Sequence, residues 1–273
     1  MDEQRFDALV KRAARKGLHM RYPVIRGLLL AMLVLLLSSS PTGAILNGQP
    51  DGTRHPYVGL VTDFKFFCSG SAISPTIFIT AAHCFDVPGQ QVFITFEPEG
   101  VYSEDFEATL VSGTWYPDPQ FCIGCSGGLV GFDTHDVAVV VLDEPLDLAR
   151  YAALPSVGQA ETLAKKTRVE IVGYGIQVRE KNLDDEFFTR YRAISELSPS
   201  QGAISAEFLK LSANPGQGKG GTCFGDSGGP ALVGDTILGV TSFVTNRNCA
   251  GVTYSYRLDT AEALAFIDSI VTA

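Results

Sequence analysis

Ser227 lies in the run Gly225-Asp226-Ser227-Gly228-Gly229-Pro230, close behind Cys223. A serine hydroxyl is a poor nucleophile until a neighbouring base takes its proton. The glycines let the backbone reach unusual dihedrals and let a second chain come close. They also leave the amides of Gly225 and Ser227 able to donate to a developing oxyanion, where one donor is worth about 2.7–4 kcal/mol. The plain alternative is a glycine-rich turn.

The base must reach that hydroxyl and titrate near neutral pH, which points to histidine. Thr80-Ala81-Ala82-His83-Cys84 offers one between small residues, beside a cysteine that can pin the segment to Cys68. His19 lies in the N-terminal segment, His55 precedes Pro56 in a turn, and His135 abuts an acid without the pinned setting. The acid comes from His135-Asp136-Val137-Ala138-Val139-Val140, where Asp136 opens an apolar run. A carboxylate part-buried there is costly unless paired, and His83 is the partner that would use it. A simple strand-start cap is the bland reading of Asp136, and Asp133 and Asp143 are its rivals. The serine string also satisfies the G-x-S-x-G elbow of α/β-hydrolases, but there the histidine follows the serine. All four histidines here precede Ser227, which excludes that order. An acid–base–serine order using Asp51 or Asp63 would need alternating strands and helices that the chain lacks.

Three distant segments must therefore be brought together by the fold. From residue 45 onward short β-rich runs alternate with Gly-, Pro- and Asp-rich turns: Tyr57–Thr62, Ile77–Thr80, Val92–Phe96, Val137–Leu142, Val169–Val172 and Thr236–Val240. Such spacing predicts an all-β barrel or sandwich. One helix is expected over 259–272: Asp259 and Glu262 have capping-box spacing, and Leu264, Ile267 and Val271 recur near helical period. Residues 180–192 are charge-rich and read as a solvated loop or hairpin with no chemistry.

The chain has 273 residues, 45% hydrophobic and 19% charged, with 28 glycines. That is a globular composition able to bury a core. Residues 1–44 hold seven basic and three acidic residues, leaving 14 basic and 27 acidic for the remainder, a net charge of −13. Nucleic acid and anionic lipid are poor partners for such a surface. Leu28–Leu37 is a ten-residue apolar run after Arg21 and Arg26, followed by Ser38-Ser39-Ser40-Pro41 and the small residues to Ala44. This reads as a signal peptide over 1–44, with Met20 as an alternative start, and implies secretion. The competing reading is a membrane anchor through 28–37, although ten residues are short for a span. The six cysteines suit an oxidising compartment. Local pairs (Cys68/Cys84, Cys122/Cys125 and Cys223/Cys249) are the expectation among 15 pairings. Cys122 and Cys125 could instead form a redox or metal site, but no second CxxC or HxxxH supplies further ligands, so no metal or other cofactor is expected.

TAAHC, HDVAVV and GDSGGP resemble the three signature segments of the trypsin/chymotrypsin family. Val172-Gly173-Tyr174-Gly175 is similar to the family's valine-glycine-tryptophan-glycine strand, and Thr241-Ser242-Phe243 to its substrate-pairing strand. The resemblance covers most of residues 45–268. It implies two six-stranded antiparallel barrels, about 45–150 and 155–258, with a C-terminal helix and the active site in the cleft between barrels. The Cys122/Cys125 pair is not a usual family feature, and two common family disulfides are absent.

The resemblance further implies that a free Ile45 amine pairs with Asp226 to order the oxyanion site, because Ile45-Leu46-Asn47-Gly48 matches the family's mature N-terminus. Ile45 follows Ala44 directly and no Lys or Arg lies between Arg26 and Ile45, so signal removal would itself create that terminus. The substrate pocket maps onto Gly221, Thr222, Ser242 and Val244, with Gly251 as a further lining position. Gly221 stands where trypsin-like members carry Asp, and Val244 where glycine often opens the pocket. Small or medium uncharged side chains before the scissile bond are therefore expected. The partners implied are polypeptide substrates and protein inhibitors, met by a monomer. A catalytically silent homologue acting as a binding protein is the alternative.

Overall fold

Alternation of apolar residues with short turns folds into antiparallel strands because each strand can bury one face and hand on through a tight connection. The computed structural model describes residues 45, 47–99, 109–125, 134–175, 188–201 and 203–272. The segment read as a signal peptide or anchor, Asp133, and most of the charge-rich 180–192 stretch lie outside them. Among the described residues no helix is long and apolar enough to cross a membrane.

Strand β1 (Gln49–Pro50) is followed by six strands that close a barrel: β2 (Val58–Thr62), β3 (Phe67–Ala72), β4 (Ile77–Thr80), β5 (Gln91–Thr95), β6 (Val111–Pro117) and β7 (Ala138–Leu142). Their order around the barrel is β2-β3-β4-β7-β6-β5. The second set is β8 (Arg168–Gly173), β9 (Tyr191–Leu197), β10 (Phe208–Ala213), β11 (Pro230–Val233), β12 (Thr236–Val244) and β13 (Gly251–Arg257). It runs β9-β10-β13-β12-β11-β8 and closes through β8–β9 pairing, with β1 added beside β9. These are the two six-stranded antiparallel barrels expected. Phe78, Ile79, Ile94 and Trp115 fill the first core, and Val169, Ile171, Leu211 and Leu238 the second. A short helix, α1 (Ala203–Glu207), which the sequence pattern did not announce, leads directly into β10.

The C-terminal helix α2 spans Ala261–Val271, one turn-position later than the capping-box reading. Thr260 is the N-cap and accepts from the Ala263 amide. Asp259 is occupied elsewhere: both its oxygens take the Arg257 guanidinium, and one also accepts from the Ala160 amide at 2.7 Å. The buried face is Ala263 and Ile267, and Val271 is exposed.

A second correction concerns Arg190, in the stretch read as solvated. It is 1% exposed. Its guanidinium donates to Asp51 at 2.9 Å, to the Val58 and Phe96 carbonyls of the first barrel's strands and flanks, and to the Gly52 carbonyl. Asp51 also holds His55, which is buried, at 2.6 Å. His55 and Arg190 keep the Asp51 carboxyl below its ordinary value against the opposing effect of burial. Removing the cation leaves the buried Asp51 carboxylate without its fully buried partner and with His55 as its remaining close one, and breaking a buried pair costs about 3–5 kcal/mol. Arg190→Met is expected to lower unfolding free energy by about that amount, measured by urea denaturation.

Candidate active site

His83 stands on a single 3-10 turn, Ala82–Cys84, directly after β4. Cys84 is bonded to Cys68 on β3, so the turn is tied to the neighbouring strand. Asp136 sits at the entry to β7, which pairs with β4 through Thr80 and Ala138. The two strands bring base and acid together although 53 residues separate them. His83 Nδ1 lies 2.8 Å from Asp136 Oδ2 and 3.0 Å from Oδ1, and the His83 amide donates to Oδ1 at 3.0 Å. The second barrel adds a donor, the Ser242 hydroxyl, to Oδ2. Asp136 is fully buried. Burial would raise its carboxyl, but the His83 charge and the hydrogen bonds from His83 and Ser242 hold it below the usual carboxylate value. An ionised Asp136 fixes the proton on Nδ1 and leaves Nε2 as the acceptor.

Ser242 reaches Asp136 because the β12–β13 register shifts between Thr241 and Phe243. A bulge of this kind re-aims a side chain that a regular ladder would place elsewhere. Its hydroxyl bond to the acid was not read from the sequence, where Ser242 was placed in the pocket alone.

Ser227 is partly exposed and shares a cleft of about 480 Å³ with His83, Phe224, Ser242, Val244 and Arg247. The turn that presents it needs glycine twice. Gly225 has φ +93° and Gly228 φ +75°, and a Cβ at Gly228 would collide with Thr80 and with the Ser69 backbone. Ser69 on β3 organises the same turn. Its amide donates to the Ser227 carbonyl at 2.8 Å and its hydroxyl to the Gly225 carbonyl at 2.9 Å. The hydroxyl also accepts from the Tyr174 amide at 2.9 Å, while the Ser69 carbonyl accepts from Thr80 Oγ1. Ser69 is fully buried and joins the nucleophile turn to both barrels. Only its place beside Cys68 hinted at a role.

Asp226 points away from the cleft and is fully buried. It accepts from the Gly175 and Cys223 amides, both at 2.8 Å. Burial pushes its carboxyl up to about 7 despite these two bonds. Among the described residues it has no cationic partner. Ile45 is fully buried with Val169, Ile171 and Tyr191 in the second barrel's core cluster. Its nitrogen, joined to Ala44, is an uncharged amide in the intact chain.

The remaining candidates are spread around this centre. Val244 lines the cleft with Ser242, while Gly221 and Thr222 are buried outside that lining, Gly221 against Ala213 and Cys249. Gly251 is exposed with φ +96°. His135 faces Asp118 at 3.4 Å, Asp143 accepts from Ser112, and Asp63 accepts from the Lys65 and Phe66 amides. Cys122 is bonded to Cys125 and Cys223 to Cys249. The Cys68 and Cys84 sulfurs approach His83, but as a disulfide they offer no thiolate to a metal.

The chain was compared with known proteins. Brachyurin from Leptuca pugilator is 27% identical over 200 residues, covering 70% of this chain and 81% of that protein. A trypsin from Saccharopolyspora erythraea is 28% identical over 215 residues, covering 76% and 88%. A mutant of human heparin binding protein superposes with a TM-score of 0.64 at 18% identity, over 84% of this chain and 96% of that one, and shares the fold. The family model described as Trypsin matches residues 46–267. That family comprises serine endopeptidases acting on polypeptides. With the match spanning both barrels and the start of α2, the chain belongs to the Trypsin family.

Proposed function

We propose that the chain is a secreted serine endopeptidase that cleaves peptide bonds through an acyl-enzyme on Ser227. The observation that carries this is a fully buried Asp136 fixing His83 at the wall of the cleft that holds Ser227. His83 Nε2 takes the Ser227 proton as Oγ attacks the carbonyl carbon, and then gives it to the departing amine. Asp136 orients the ring and stabilises its charged form. The amides of Gly225 and Ser227 receive the oxyanion, on a turn that Ser69 holds at two carbonyls. Water, activated by the same histidine, releases the acyl group.

Activation follows from the unpaired Asp226. An ammonium delivered by a free Ile45 would neutralise a carboxylate that is otherwise driven toward its protonated form. Removal of residues 1–44 as a signal would generate that amine. Val244 at the cleft wall supports small or medium uncharged side chains before the scissile bond.

A fluorophosphonate probe should label the processed protein at Ser227, and Ser227→Ala should abolish labelling; an unlabelled wild type identifies a silent binding homologue instead. Asp136→Asn should lower kcat by about 10⁴-fold, because the amide stabilises the wrong histidine tautomer. N-terminal sequencing of secreted protein should begin at Ile45, and any other start refutes activation by signal removal. A peptide-library digest should show cleavage after small or medium uncharged residues; cleavage mainly after Lys or Arg contradicts the pocket assignment. In the intact chain Asp226 binds a proton that the unfolded chain has lost between about pH 4 and 7. Its contribution to stability is therefore full below pH 4 and declines as pH rises toward 7. Asp226→Asn should remove that slope, measured by urea unfolding against pH in the Ser227→Ala background.

A further inference from the structure

Cys122 and Cys125 take no part in the site around Ser227. The six cysteines form three disulfides, and two of these are internal. Cys68 and Cys84 are 4% and 5% exposed, Cys223 and Cys249 3% and 1%. The third bond lies at the surface, in the connection between β6 and β7. Cys125 is exposed, Cys122 is half-buried, and Ile123 between them is 74% exposed. A Cβ built on Gly124 would meet nothing within 4 Å, so among the described residues nothing covers that side of the pair. No further Cys, His, Asp or Glu joins the two sulfurs in a group of three among the described residues, which leaves a metal short of ligands.

The backbone shapes this stretch without help from the bond. The Asp118 amide donates to the Val137 carbonyl at 2.9 Å and the Phe121 amide to the Asp118 carbonyl at 2.9 Å. Cys122 and Thr134 exchange backbone hydrogen bonds at 3.3 and 3.0 Å, which tie Cys122 to the chain entering β7 whatever the state of its sulfur. A cross-link restrains the unfolded chain more as it encloses more residues, and here the separation is 3, against 16 and 26 for the other two bonds. An accessible disulfide that adds little to the fold is the kind that thiols attack, while buried ones resist. We propose that Cys122–Cys125 is a thiol–disulfide exchange site, taking two electrons from a dithiol that enters at Cys125, separate from the Ser227 centre and independent of the peptidase reading. One thiolate of the dithiol attacks Cys125 Sγ, the bond to Cys122 Sγ breaks, and Cys122 leaves as a thiolate that takes up a proton. The second thiol then attacks the partner sulfur of the mixed disulfide and releases Cys125 as a thiol. Two electrons and two protons pass to the protein, and the dithiol becomes a disulfide.

Stepwise reduction of the folded protein tests it. Protein carrying Ser227→Ala, which excludes self-cleavage, is equilibrated with increasing reduced dithiothreitol and no denaturant. Free thiols are trapped with iodoacetamide and mapped by mass spectrometry. Cys122 and Cys125 should be half-alkylated at a dithiothreitol concentration about tenfold below that needed for the other four cysteines. Emission from Trp115, the single tryptophan and 1% exposed, should stay constant over that range. Single variants then report the entry sulfur. With oxidised glutathione, Cys125 in Cys122→Ser should form a mixed disulfide about fivefold faster than Cys122 in Cys125→Ser. Reduction of all three disulfides together, or of Cys122–Cys125 last, overturns the proposal, as does a change in Trp115 emission before Cys122 and Cys125 react. Equal or reversed rates in the two variants overturn entry at Cys125.

Discussion

A carboxylate with no access to water has to be given every hydrogen bond it lacks, and Asp136 imposes that demand on both barrels. Two of its partners come from His83 on the first barrel and one from Ser242 on the second. The imidazole cannot swing away without stranding a buried charge, and β12 cannot straighten its bulge without withdrawing a donor. The same requirement that stabilises the ion fixes the proton on Nδ1 and turns Nε2 to the cleft. The placing of His83 at the cleft wall is a by-product of satisfying one desolvated acid.

The two barrels meet again through Ser69 and Arg190. Ser69 is small and wholly internal, and uses one hydroxyl as donor to the nucleophile turn and acceptor from the end of β8. Arg190 takes the opposite form, a long cation whose fork reaches Asp51, Gly52 and the carbonyls of Val58 and Phe96. It fastens the stretch that follows Ile45 to the first barrel while β1 fastens the same stretch to β9. The path of the chain leading away from Ile45 is therefore fixed at two points.

How far all this could be read from the sequence follows the range of the interactions. His83, Asp136 and Ser227 were legible because each sits in a short string whose small residues, cysteines or apolar run state its environment. The barrel strands were legible as β-rich runs between turns, and Val137–Leu142 read as buried because β7 is covered by neighbours on both faces. Ser69 and Arg190 were opaque: their partners lie up to 158 residues away, and a lone serine or arginine carries no local signal of that. The α2 cap misled for a related reason. Asp259 and Thr260 are both competent caps, and a buried Arg257, which no local rule foresees, claimed the aspartate. Gly221 and Thr222 align with the family's pocket positions in sequence, yet the fold buries both outside the cleft lining.

The bond joins Cys223 to Cys249, 26 positions apart, and the residues between them include Ser227, the β11–β12 hairpin, Ser242 and Val244. Ser227, the Ser242 support for Asp136 and the cleft-lining end of β12 all belong to one covalent ring. Thiol reduction would open that ring and loosen them together, whereas His83 and Asp136 lie outside it. Ser242 carries the link from that ring to the His83–Asp136 pair, through its hydroxyl bond to Asp136.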